Sequence, residues 1–155
     1  LNMIFGTAFF AILAAATASA VHAAAITTLA SEAQMMHFLN TTDAELKFIG
    51  KPIDVTGGIS AGKNGLARRD GLPNTMVIYC TAHVDQICGG TCTVYNGGPT
   101  CINAPGTACL MATNNVGFCD KGACGGSCNQ FASCGDRLDN GFCSTPGTSS
   151  IVVSA

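Results

Sequence analysis

Three features of this sequence predict a small, disulfide-rich, mainly β fold. Ten cysteines occur in 155 residues, and all of them lie at or after Cys80. From Asp70 onward glycine is abundant and glutamate is absent, so turns form readily and a long helix has no support. Short β-branched and aromatic runs punctuate the same region. The net charge of −2, with 10% charged residues, provides neither a basic face for nucleic acid nor a cationic helix for membrane lysis.

Residues 1–20 read as a secretory signal peptide. Met3 is the expected start, an uncharged apolar run extends from Ile4 to Ala16, and Ala18-Ser19-Ala20 is a small-x-small site. Cleavage is expected after Ala20, with Ala23 and Ala25 as alternatives. The run falls short of the roughly 20 apolar residues of a membrane span, so no membrane attachment is expected once it is removed.

Residues 21–69 read as a propeptide and linker without cysteine. LASEAQMMHFL (29–39) fits a short amphipathic helix, the only helix expected. Ser31 and Gln34 stand at capping-box spacing, and Leu29, Met36 and Leu39 share a face. Asn40-Thr41-Thr42 is an N-glycosylation sequon, so Asn40 is the candidate glycan site. AELKFIG (44–50) reads as a strand stopped by Pro52, and the glycine-rich stretch 57–66 as a flexible linker. Arg68-Arg69, the one pair of adjacent basic residues, separates the cysteine-free region from the cysteine-rich one. It resembles the dibasic sites cut by kexin-type proteases in fungal secretory precursors. An acidic pocket recognises paired guanidinium groups, and a glycine-rich segment threads easily into a protease cleft.

Residues 70–155 read as the mature cysteine-rich domain. Leu, Ile, Val and Phe together number only 16 of these 86 residues, so the core is modest and cross-links are needed. The cysteines form two tandem rows. The first holds Tyr79-Cys80, Cys88-Gly-Gly-Thr-Cys92, Cys101 and Cys109. The second holds Phe118-Cys119, Cys124-Gly-Gly-Ser-Cys128, Cys134 and Cys143. The shared CGG[T/S]C element marks an internal duplication. Five cysteines per row is an odd number, so an odd number of bridges must join the rows if all are oxidised. Two bridges within each row and one between them is the preferred pattern, among roughly 900 possible pairings. Cys88 and Cys92 are too close in sequence to pair with each other comfortably. The C-x3-C spacing and the single histidine in this region, His83, point away from a zinc site, and neither metal nor cofactor is expected.

The strand candidates are TMVIYC (75–80), TCTVYNGGPTC (91–101) as a hairpin turning at Asn96-Gly97, NVGFC (115–119), DNGFC (139–143) and SSIVV (149–153). The first and last are expected to lie side by side and close the domain.

Titratable groups are sparse. His83 and Asp85 could meet a nucleophile on one strand face, but a polar loop is the favoured reading, and no catalytic residue is assigned. Asp136, Asp139 and Asn140 are a weak calcium candidate, better explained by turn chemistry. Tyr79 and Phe118 match across the rows and suit core positions. Tyr95, at the expected hairpin tip, and Phe131, in a short loop, are the candidate contact residues.

Signal peptide, cysteine-free segment, Arg68-Arg69 and a compact ten-cysteine domain together resemble fungal small secreted cysteine-rich proteins of the effector-candidate type. The resemblance implies an extracellular, non-enzymatic and monomeric interaction protein, with a glycan or a host or competitor protein as partner. Two alternatives are a protease inhibitor using Ile102-Asn-Ala-Pro-Gly-Thr-Ala108 as a braced loop, and a killer-type toxin.

Overall fold

A computed structural model describes residues 29–53 and 74–155. The expected signal peptide with Ala20, the linker at 57–66 and Arg68-Arg69 lie outside the described residues.

Helix α1 spans Glu32–Thr41 and starts as its sequence demands. The Ser31 hydroxyl accepts from the Gln34 amide at 3.1 Å, and the Gln34 side chain accepts from the Ser31 amide at 2.8 Å. Two otherwise orphaned donors are thereby satisfied. The buried face is Met35, Phe38 and Leu39, with Leu29 and Met36 only partly covered, so the stripe is rotated from the expected one.

Seven strands follow: β1 (Glu45–Gly50), β2 (Thr75–Val84), β3 (Ile87–Gly97), β4 (Thr100–Ala112), β5 (Val116–Cys119), β6 (Cys128–Gln130) and β7 (Cys143–Val153). Their order in the sheet is β1-β3-β2-β4-β7-β5-β6. β1 is parallel to β3, and every other pairing is antiparallel. The molecule is a disulfide-rich β protein.

Three strand expectations need correction. Asn96-Gly97 does not turn a hairpin: β3 and β4 flank β2 on opposite sides, and the hairpin turns instead at Asp85-Gln86. The first and last strands are not neighbours, because β4 stands between β2 and β7. Residues Asp139–Gly141 form a 3-10 turn, and the last strand begins at Cys143, six residues before Ser149. Pairing across the sheet is set by register, which the local strand signals do not carry.

β4 and β7 form a ribbon that bends in the middle. A straight 13-residue strand would span about 43 Å. Yet Thr100 pairs with Val153, Val153 pairs with Val116, and Val116 follows Ala112, the far end of β4, by only four residues. The bend comes from two matched turns, Ala104-Pro105-Gly106-Thr107 and Thr145-Pro146-Gly147-Thr148. Pro precedes a Gly with φ of +77° in the first and +82° in the second, the type II pattern. In each turn the Thr hydroxyl donates 2.8 Å back to the first residue's carbonyl.

The fold closes on one apolar core that includes Val77, Ile78, Leu110, Met111, Phe131, Phe142 and Ile151, together with Met35 and Phe38 of α1. The ten cysteines form five bridges: Cys80–Cys92, Cys88–Cys109, Cys101–Cys124, Cys119–Cys128 and Cys134–Cys143. Two lie in each row and one joins the rows.

Candidate functional site

The CGG[T/S]C elements do the same local work in both rows. Cys80 stands directly opposite Cys92, and Cys119 opposite Cys128, each pair with Cα atoms 4.0 Å apart. Between such partners the chain must shed or add a residue. In the first row Thr81 faces both Gly90 and Thr91, a bulge in which Gly90 takes φ +82°. In the second row Gly126 takes φ +78°, and the Asp120 carboxylate accepts from the Ser127 amide at 2.9 Å to close the loop.

The β2–β3 hairpin ends in the exposed feature that stands out. Val84 and Ile87 are directly paired and remain 72% and 65% exposed, although both are β-branched and apolar. A two-residue turn, with Asp85 at φ +52°, separates them. One register step below, Cys88 is bridged to Cys109 on β4. From the side, the Asp139 amide donates to the Gln86 carbonyl at 2.8 Å. The tip is therefore an apolar pair held in place from below and from one flank. A surface already ordered loses little entropy on meeting a partner. Phe48 and Ile49 of the edge strand β1 are also exposed, at 51% and 41%.

His83 lies at the base of this tip. Its Nε2 is 3.5 Å from the Ser144 hydroxyl, and its Nδ1 is 3.4 Å from the main-chain oxygen of Asp85. The Asp85 carboxylate is not the group that meets the imidazole. The 3.5 Å separation is longer than the roughly 2.6–3.2 Å at which a base takes a proton from a nucleophile.

Tyr95 and Phe131, the candidate contacts, are both buried and offer no exposed face. Tyr95 is 9% exposed, and its hydroxyl donates to the Gly98 carbonyl at 2.6 Å, tucking the ring against the end of β3. Phe131 is fully buried, with the Arg137 guanidinium 4.7 Å from its ring centre and donating to its carbonyl at 2.7 Å. Partial burial also pushes the Arg137 pKa down from its ordinary value. The protease-inhibitor loop meets a similar fate. Residues 102–108 run through β4 with Ile102, Ala104 and Thr107 buried, which leaves Asn103 and the short Pro105-Gly106 apex outside.

The sulfur atoms of Cys80, Cys88 and Cys109 lie within 4.8 Å of one another, close enough for a metal. All three are already in disulfides, so none can offer a thiolate. Asp136 and Asp139 join no cluster of three or more such ligands among the described residues. Asn40 is exposed in the last turn of α1. An open groove of about 260 Å³ lies between α1 and the 139–141 turn, lined by Ala33, Gln34, His37 and Asn140. No helix among the described residues is long and apolar enough to cross a membrane.

Comparison with protein-family models, curated proteins and solved structures finds no match. The hairpin tip was also missed in the sequence. Its signal is the symmetry of His-Val and Ile-Cys about Asp85-Gln86, a polar pair between two β-branched residues.

Proposed function

We propose that this chain is a secreted, non-catalytic interaction protein of the effector type, which meets its partner through the apolar tip formed by Val84 and Ile87. Five disulfides suit an oxidising, extracellular setting and keep a small core folded there. The observation that carries the reading is the tip itself. Two aliphatic side chains stand in water on a turn braced by a disulfide and by a neighbouring loop. Aliphatic side chains fill pockets in proteins, whereas sugar faces stack on flat aromatic rings. A host or competitor protein is thus favoured over a glycan.

The test compares the secreted protein with its Val84→Asp/Ile87→Asp variant. Both are checked for five closed bridges by mass and assayed against a polysaccharide panel and against purified extracellular proteins of candidate hosts. A protein ligand whose affinity falls about thirtyfold or more in the variant supports the reading. Binding that ignores the substitution, or binding to polysaccharide alone, overturns it. A growth-inhibition assay with the same pair addresses the killer-type alternative.

A further inference from the structure

Residues 29–53 contain no cysteine, so every contact they make with the described body, residues 74–155, is non-covalent. These contacts are extensive. α1 buries Phe38 edge-on against Phe142, with ring centres 4.9 Å apart at 65°. Met35 is fully buried beside it. The Ala30 amide donates to the Ala112 carbonyl at 2.9 Å, and the Lys51 amide to the Asn96 carbonyl at 2.7 Å. Between these anchors β1 runs parallel to β3 over six register positions, Glu45 opposite Thr91 through Gly50 opposite Asn96. A parallel partner cannot arise by a tight turn from its neighbour, so β1 is a docked strand. Without it, β3 would present an open row of main-chain donors and acceptors.

We propose that the edge of β3, together with the apolar seat at Phe142, is a peptide-binding site on the cysteine-rich body, and that residues 29–53 are its occupant, retained as a separate chain once the linker is cut. The recognition chemistry is β-augmentation joined to a helix-in-groove contact. Its natural ligand is a helix–strand segment with an aromatic residue in the helix and an extended run beginning seven residues later, as Phe38 and Glu45 are spaced here. The intact linker only raises the local concentration of the segment. Cutting it breaks none of the contacts above. The site is independent of the Val84/Ile87 tip, so the failure of either proposal leaves the other standing.

The test uses the full oxidised protein, cut in the linker by a dibasic endoprotease or at a protease site inserted after Ser60. The nicked protein is expected to run as a single species one water heavier than the uncut one in native mass spectrometry and to separate into two chains in concentrated urea with its bridges intact. Isotope-labelled peptide 29–53 is expected to exchange into the nicked protein. Phe38→Ala should weaken retention about a hundredfold, whereas Val84→Asp/Ile87→Asp should leave it unchanged. Separation of the chains on cutting alone, or no uptake of the labelled peptide, overturns the proposal. The uncut Phe38→Ala protein, checked for its five bridges, shows whether the body itself still folds.

Discussion

The two cysteine rows begin alike and end differently. In each, the cysteine after the aromatic residue closes on the last cysteine of CGG[T/S]C: Cys80 with Cys92 and Cys119 with Cys128. Beyond that closure the rows part. Cys88 reaches Cys109 within its own row, but its counterpart Cys124 crosses to Cys101, leaving Cys134 to pair with Cys143. The first row is carried by strands of 10, 11 and 13 residues and its closing bridge is wholly buried. The closing bridge of the second is carried by strands of four and three residues, and its Cys128 is exposed. A local motif therefore dictates a local bridge, while the longer bridges depend on which strands the sheet places nearby.

Removing the two equivalent bridges is the strongest test of this contrast. Loop entropy alone predicts a loss of about 3 kcal/mol for either one, because the loops differ little in length. Burial breaks the tie. Cys80→Ala/Cys92→Ala also empties a closed part of the core and should cost about 4 kcal/mol, against about 3 kcal/mol for Cys119→Ala/Cys128→Ala. Urea unfolding of the two oxidised variants measures both. Equal losses would show that the rows are energetically equivalent despite their different burial.

Substitution of the matched glycines should have a smaller effect, with the order reversed. Gly90→Ala places a Cβ 2.9 Å from the Thr81 hydroxyl, which accepts from the Thr91 amide at 3.1 Å, and with its positive φ should cost about 1–2 kcal/mol. Gly126→Ala drives its Cβ into the Asp120 carboxylate, which is held by the Ser127 amide, and should cost more. Thermal unfolding of the two variants ranks them. A larger loss at Gly90 would mean that the bulge, and not the loop, is the tighter constraint.

The smallest effect separates the leading aromatics. Burial holds the Tyr79 phenol above its ordinary value of 10.0, with a hydrogen bond to Thr93 pulling the other way. Its folded value is raised, so the stability linked to it is intact below about pH 10 and is lost as pH rises through the folded value. The unfolded chain ionises first in that window. Phe118, its counterpart, cannot titrate. Tyr79→Phe should therefore flatten part of the alkaline decline seen in urea unfolding between about pH 9 and about pH 11. An unchanged decline would assign it to other groups.

Much of the local structure was legible in advance. The capping box at Ser31 and Gln34 and the strand at 44–50 follow from neighbouring residues, and parity requires that an odd number of bridges join the rows. What the sequence hid was long-range. Tyr95 looked like a tip residue because Asn96-Gly97 looks like a turn, and it is buried because the chain instead passes to the far side of β2. The hairpin tip at Val84 and Ile87 went unseen because the strand signal was read as ending at Cys80. The Pro-Gly turns at 105–106 and 146–147 look unrelated along the chain and act together only when β4 and β7 lie side by side.

By itself, then, the sequence determined a disulfide-rich β protein with one capped helix and a repeated CGG[T/S]C element, because caps, turns and short loops are decided within a few residues. Only the tertiary structure decided which of the many bridge patterns forms, which aromatic rings are buried, and that a cysteine-free helix joins the core while a cysteine-free strand covers the edge of β3. Those outcomes depend on the register of strands far apart in the chain. There, the burial of apolar side chains on one shared face outweighs any local preference.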